Sequence, residues 1–436
     1  MKSIGVPLGF VLQPICEPKE DEEQVPISLP SDKGPFRCGR CNAYINPFFR
    51  FEGYTGICNI CKFPNQIPEN FQATSEHPEL NKPVYDLIAP MPQYKNRDIT
   101  NIHLLFVIEL SASTITLGIP QQVLASLMAI IETIPCPEQT EIGFITFEST
   151  HLTYYKCKDS TRDVQELLVA ELDEDCVPLS HAEMFMNLST ETTNIQLVLE
   201  KLNKKIETFS LEKGSSKLGI PLGAAINNAI SSLKSKLGRA LVFTAHPPTI
   251  GFGKFKKREE ASLAGTDKEK SLFAPQIDLF SKLGKECSSH GISVDLFAFN
   301  VEGFDLATLS ETTRISGGNL FYFPSYIASQ HSEKLHFDLA RNLTRGYAFD
   351  CIMTMRSSQG LVLSEYHTSR GKVLVRDLEM GSISSDQSIA VILQQEEKIA
   401  EVESYVQFAL LHTNIFGQRL IRVINLAIQI DNSIRS

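Results

Sequence analysis

From residue 103 onward, short apolar runs alternate with stretches whose apolar residues return every three or four positions, and the two periods predict different elements. The runs HLLFVIEL, EIGFITFE, RALVFTA, ISVDLFAF and NLFYF have strand length and are apolar on both faces, as strands inside a parallel sheet must be. HLTYYK follows EIGFITFE after a short turn and pairs back on it. Helical period runs through QQVLASLMAIIETI, NIQLVLEKLNKKI, LGAAINNAISSLK, FAPQIDLFSKLGKECSSH and the stretch near LATLSETT. This alternation predicts a mainly parallel sheet covered on both faces. After a last helix near SEKLHFDLARNLT the pattern changes: AFDCIMTMRSS, GLVLSEYHTS, KVLVRDLEM, SIAVILQQ, YVQFALLHT and RLIRVINLAIQI follow one another with few helices, which predicts an antiparallel sandwich. The fold class is therefore α/β plus β.

Ahead of residue 103 lies a different chemistry. In RCGRCNAYINPFFRFEGYTGICNIC two Cys-x-x-Cys pairs, Cys38 with Cys41 and Cys58 with Cys61, stand sixteen residues apart, the spacing of a tetrahedral zinc site. Two disulfides are the alternative, but nothing else points to a secreted chain. Four thiolates leave no open position for water or substrate, so this zinc is structural rather than catalytic. The acidic, proline-containing EPKEDEEQVP and the proline-rich IAPMPQYKNRDIT mark boundaries on either side of the module.

Length and charge narrow the function. A chain of 436 residues with 42% hydrophobic and 21% charged residues has room for two or three domains. Residues 1–16 are broken by Gly5, Pro7, Gly9 and Pro14, which excludes a signal peptide or membrane span there. Six further cysteines lie scattered without pairing pattern, which favours a reducing, cytoplasmic setting. A net charge of −10 argues against nucleic acid as a partner. Lys254, Lys256, Lys257 and Arg258 make a local basic run, either a solvated loop or a contact for an acidic surface such as anionic lipid; Lys201, Lys204 and Lys205 add charge elsewhere. No H-E-x-x-H, G-x-S-x-G or G-x-x-x-x-G-K-[ST] motif occurs, so the chain is expected not to be an enzyme.

At the end of the first long strand, Glu109-Leu-Ser111-Ala-Ser113 resembles the D-x-S-x-S loop with which von Willebrand factor A domains hold Mg²⁺. Its carboxylate is one methylene longer, and Thr244-Ala245-His246 stand where the family's second aspartate is expected. Mg²⁺ demands near-ideal oxygen geometry, so this loop is expected to hold no ion and Ser111 and Ser113 to serve turn and capping roles.

The order of these parts resembles the inner coat of COPII vesicles, and most closely its cargo-adaptor subunit. The resemblance rests on VPLGFVLQP, FRCGRCNAYINPFFRF, CNICKFPNQIP, PELNKPVYDLIAPMPQY, TIGFGKFKKRE, ISGGNLFYFP, MRSSQGL and FALLHTNIFGQRLIRV, spread over essentially the whole chain; Tyr-Ile-Asn-Pro-Phe after the first cysteine pair favours the adaptor over its GTPase-activating partner. It implies a first strand of the sandwich with a linker in 1–30, a zinc module in 31–80, an A-domain-like trunk in 95–332, and a helix with the returning sandwich in 333–436. It further implies a non-enzymatic coat subunit, cytoplasmic and peripheral on the endoplasmic reticulum membrane, which pairs with the GTPase-activating subunit as a heterodimer and selects cargo for transport to the Golgi. Acidic export signals are read in that family by arginines near the zinc module. The first maps onto Arg37, the next onto Asn42, and an Arg-x-Arg pair onto Thr354-Met355-Arg356, so only Arg37 and Arg356 carry over. Arg37 and Arg40 have a second reading, as counter-charges to four thiolates. A tryptophan common before the second cysteine pair is replaced by Ile57, and the family's helical and gelsolin-like domains have no counterpart before Ser436, which reads as a truncated piece or a reduced paralogue. A competing class is a scaffold subunit of a transcription or repair complex, where the zinc module usually follows the A domain.

Overall fold

In the strand Ile102–Glu109 every residue is buried, and its side chains divide by parity. Leu104, Phe106 and Ile108 enter one apolar cluster, with helices Ile119–Ile130, Thr192–Leu211 and Ala328–Thr344. Leu105 and Val107 enter another, with helices Leu222–Leu233, Leu279–Ser289 and Leu306–Ser316. A strand that is apolar on both faces thus sits between two helical layers, as the sequence pattern predicts. The computed structural model describes residues 8–28, 34–67, 77–89, 101–158, 163–211, 219–234, 236–258, 260–300, 303–368 and 370–430. Most of IAPMPQYKNRDIT, read above as a boundary, lies outside them.

The trunk sheet runs in the order Asp163–Val169, Leu152–Lys158, Thr140–Phe147, Ile102–Glu109, Leu237–Thr244, Ile292–Asn300, Leu320–Pro324. Its last five members are mutually parallel, and Leu152–Lys158 pairs antiparallel with both of its neighbours, Thr140–Phe147 and Asp163–Val169.

Two further sheets form the sandwich. One has the order Lys372–Val373, Asp377–Ser384, Tyr347–Ser357, Glu403–Asn414, Arg419–Gln429, Val84–Ile88, Ile27–Ser28; the other is Leu8–Leu12, Ile389–Gln395, Leu361–His367. Three of these strands come from before residue 90, so the chain enters the sandwich, leaves it for the zinc module, returns, and only then builds the trunk. The strand Val84–Ile88 stands in a proline-flanked stretch that carries no strand signal of its own; Arg422 holds Asp86 there through both carboxylate oxygens, at 2.5 and 2.8 Å.

Trunk and sandwich meet backbone on backbone. A Cβ placed at Gly381, in the strand Asp377–Ser384, would stand 1.8 Å from the carbonyl oxygen of Ile292 in the trunk. Beside this contact Arg239, 2% exposed, pairs with the fully buried Asp295, reaches the carbonyl of Asn342 at 3.1 Å, and stacks 3.8 Å from the ring centre of Tyr347 in the sandwich. Burial pushes the Asp295 carboxyl up, but Arg239 and the amide of Asn319 outweigh it and hold the group below the usual carboxylate range.

Candidate metal centre and the cleft beside it

The two cysteine pairs fold as copies of one turn. After the second cysteine of each, the backbone is left-handed, at φ 57° for Asn42 and 60° for Lys62. The amides of these residues reach back to the carbonyls of Cys38 and Cys58 at 2.9 and 2.8 Å. The first cysteine of each pair donates its own amide across the turn, Cys38 to Ala43 at 2.8 Å and Cys58 to Phe63 at 3.0 Å. The strands Arg50–Glu52, Thr55–Ile57 and Pro64–Gln66 set the turns facing each other. All four Sγ atoms then lie within 4.8 Å of one another.

These residues fit zinc. Zinc–sulfur bonds of about 2.3 Å put tetrahedral thiolates about 3.8 Å apart. The Sγ pairs Cys38–Cys61 and Cys41–Cys58 stand at 3.5 and 3.6 Å. The surroundings suit thiolate as well: the amides of Ala43 and Phe63 point at Cys41 and Cys61, and the buried Asn65 donates to Cys38 Sγ at 3.6 Å. A hydrogen bond from Cys58 holds Cys41 down at about 5, the same bond pushes Cys58 up, and burial pushes Cys61 up to about 11. One thiolate is favoured and further ones are opposed, which is the condition a dication relieves. The module is a structural zinc finger held by Cys38, Cys41, Cys58 and Cys61, with no position left for chemistry.

The finger is seated on the sandwich. Tyr44 and Gln407 exchange two hydrogen bonds, Tyr44 N–H to Oε1 at 2.7 Å and Nε2 to the Tyr44 carbonyl at 2.9 Å. Arg356 donates its Nε–H to the carbonyl of Cys41 at 2.8 Å, and its burial lowers its pKa. Between the two parts lies a cleft of about 1000 Å³ walled by Arg40, Asn42, Arg356 and Arg376 against Asp377 and Glu396. Arg37 is not among the residues lining this cleft: its guanidinium lies 4.2 Å over the ring of Tyr44 and bonds to the Tyr44 hydroxyl. Of the two arginines that the sequence offers as a pair, only Arg356 lines the cleft, and Arg40 and Arg376 line it as well. Arg40 carried a signal, since the second residue inside a Cys-x-x-Cys turn faces outward; Arg376, in an exposed loop, carried none.

In the loop at Glu109 the chain supplies its own donors to the carboxylate. Its buried carboxylate accepts from Ser111 Oγ at 2.7 Å and His246 Nδ1 at 2.6 Å on one oxygen, and from Thr244 Oγ1 at 2.7 Å and the Ala245 amide at 2.8 Å on the other. Burial raises the carboxyl pKa, yet the bond to His246 and the other donors bring it below the usual range. Ser111 caps the helix Ala112–Thr116, accepting from the Thr114 amide at 3.3 Å, while Ser113 gives that helix its carbonyl.

The basic run divides. Lys254, Lys256 and Lys257 are exposed, whereas Arg258 pairs with Asp305 at 2.8 Å and reaches Thr308 at 3.3 Å, its side chain 10% exposed. In the trunk, Lys205 stands 3.0 Å from Glu148 and 3.5 Å from Glu166, and Lys201 3.7 Å from Glu166, so these lysines do not form a cationic face.

Comparison with known proteins covers the same three parts. Residues 35–71 match the Sec23/Sec24 zinc finger, 100–343 the Sec23/Sec24 trunk domain, and 348–431 the Sec23/Sec24 beta-sandwich domain. The protein transport protein SEC24 A of Arabidopsis thaliana is 31% identical over 96% of this chain and 41% of its own length. Sec24A of Mus musculus is 32% identical over 98% of this chain and 39% of its own. The crystal structure of the human COPII-coat protein Sec24c superposes with a TM-score of 0.90 at 26% identity, covering 98% of this chain and 58% of that one. The chain thus spans about two fifths of the length of these curated relatives. Zinc finger, A-domain-like trunk and sandwich follow one another in the family's order, and the chain belongs to the Sec23/Sec24 family.

Proposed function

We propose that this chain acts as a COPII coat subunit that selects cargo for transport from the endoplasmic reticulum to the Golgi, by binding and not by catalysis. The observation that carries the reading is the cleft between finger and sandwich, where Arg40, Arg356 and Arg376 converge. Guanidinium groups there recognise a carboxylate by charge-assisted, bidentate bonds. The zinc site serves this indirectly: the turn that carries Cys41 presents Arg40 to the cleft and fixes Arg356 through the Cys41 carbonyl. Arg37 is a positioning residue in this reading, buttressing Tyr44 and so the seat of the finger. With Asp377 and Glu396 also lining the cleft, the site prefers a peptide that carries both signs of charge over a purely acidic one.

Pairing with the GTPase-activating subunit and peripheral attachment to anionic membrane belong to the same proposal. For the membrane the cationic surface reduces to Lys254, Lys256 and Lys257, at about 1 kcal/mol each near an anionic leaflet. No helix among the described residues is long and apolar enough to cross a membrane.

Titration of an acidic export peptide against the wild-type chain, Arg356→Ala, Arg376→Ala and Arg40→Ala tests the site, with zinc content measured in each. A desolvated charge-assisted bond is worth about 1.5–3 kcal/mol, so Arg356→Ala is expected to weaken binding about 10- to 100-fold. The exposed Arg40 and Arg376 contribute less, a few-fold each. Equal affinity in all four zinc-loaded chains removes cargo binding from this cleft. Failure to form a stoichiometric complex with the GTPase-activating subunit, measured separately, removes the coat assignment.

A further inference from the structure

A second group of metal-ligating side chains stands at the edge of the trunk sheet opposite Glu109, where the parallel strands begin. His103 and Glu141 are the second residues of strands Ile102–Glu109 and Thr140–Phe147 and lie side by side in register. His181 opens the short helix His181–Met184, its ring 4.4 Å from that of His103 and steeply inclined to it. One ligand atom from each of the three lies within 4.8 Å of the others.

The hydrogen bonds of His103 fix its tautomer. Its Nδ1 stands 2.8 Å from the carbonyl of Leu237, an acceptor only, so the ring hydrogen is on Nδ1. In the neutral ring Nε2 turns a lone pair toward Glu141 Oε2 at 3.1 Å, two acceptors facing each other in a site where His103 is 1% exposed. Something positive belongs between them. A proton would satisfy these two groups but not the third: Nε2 of His181 is buried and has no hydrogen-bond partner among the described residues. A divalent cation takes both imidazole lone pairs and the carboxylate together.

We propose that His103 Nε2, Glu141 Oε2 and His181 Nε2 bind a zinc ion, with the fourth position left to water. Two imidazoles and a carboxylate are a set that suits zinc. The outer contacts are those of a metal site: the Leu237 carbonyl orients His103, and the amide of Asn101 holds the other oxygen of Glu141. Zinc–nitrogen and zinc–oxygen bonds of about 2.0–2.1 Å place ligand atoms about 3.4 Å apart, close to the His103–Glu141 spacing, and a rotation of the partly exposed His181 closes the third side. Lys236 near His181 opposes the incoming charge, and Glu141 offsets it. The ion would tie the entry of two sheet strands to the helix at His181, independently of the cysteine site.

Zinc uptake by the full chain, its cysteine site already loaded, tests this by competition with a chromophoric zinc indicator at neutral pH. The wild type is expected to take up one further equivalent and to melt several degrees higher with it. His181→Ala and Glu141→Gln are each expected to lose that equivalent while keeping the cysteine-bound zinc by elemental analysis. His181 is partly exposed and Glu141→Gln conserves shape, so a folding failure in one leaves the other to decide. No second equivalent in the wild type, or its retention in a folded variant, overturns the proposal.

Discussion

The carboxylate of Glu109 occupies the place where a related fold holds a metal, and four donors on two oxygens leave it no coordination capacity. His246 is the residue that makes the substitution work, because its Nδ1–H approaches where an ion would otherwise balance the buried charge. Removing it leaves a buried carboxylate short of a donor. His246→Ala is therefore expected to cost about 1–3 kcal/mol in chemical denaturation, and millimolar Mg²⁺ to give no saturable thermal shift in the wild type. A saturable shift abolished by Ser111→Ala would contradict this account. At this scale the sequence was informative about presence and poor about partners. The cysteine spacing announces a zinc site, because four ligands on two tight turns are a local fact. The lengthened carboxylate and the missing second aspartate set the expectation of a loop without an ion, but nothing in Thr244-Ala245-His246 says that His246 folds back onto Glu109. The cleft arginines mark the same limit, since Arg37 adjoins a zinc ligand in sequence and yet stacks on Tyr44 and is not among the residues lining the cleft.

Among elements, those with a strong period were legible, because a buried strand must be apolar on both faces and a surface helix on one. The run KVLVRDLEM was less so. It divides into strands Lys372–Val373 and Asp377–Ser384, and the turn between exposes Val375 almost completely, at 98%, along with Arg376. Three consecutive apolar residues read as a buried strand, but they lie at the sheet's edge where no layer covers them. Val84–Ile88 received no assignment from the pattern and is an interior strand, paired with Arg419–Gln429 more than 300 residues away and with Ile27–Ser28. Trunk and sandwich approach closely at Gly381, whose missing Cβ lets the sandwich strand touch the trunk backbone. Gly381→Ala drives a methyl group into the Ile292 carbonyl, which cannot swing aside as a side chain can. A loss of about 1–3 kcal/mol or more is expected, with trunk and sandwich no longer melting in one transition. An unchanged single transition would show that the junction yields more easily than its geometry implies.

For the whole molecule, the long pairing of the sandwich with chain segments from before the trunk sets a dependence on pH. His412, 3% exposed in the strand Glu403–Asn414, has Asp86, Arg422 and Arg419 around it and the Leu410 carbonyl 3.2 Å from Nδ1. Burial lowers its pKa to about 4, outweighing the pull of Asp86. The unfolded chain therefore binds a proton near pH 6.5 that the folded one refuses, and stability that is complete above that pH falls as the solution is acidified toward the folded value. The part due to His412 amounts to about 2 kcal/mol between pH 7.5 and 5. Denaturant midpoints at the two pH values are expected to differ less in His412→Gln by that amount; equal differences in both chains would assign the acid sensitivity to other groups. Read alone, the sequence determined what depends on neighbours in the chain: the zinc ligands, the alternation that builds the trunk, the succession of strands that builds the sandwich, and the family through motifs spread along its length. The tertiary structure alone decided which distant groups meet, including the three arginines of the cleft, the closure of Glu109 by His246, and the pairing of His103 with Glu141 and His181. Those contacts depend on register and on the angle between layers, quantities fixed by packing over hundreds of residues and written in no short stretch of the chain.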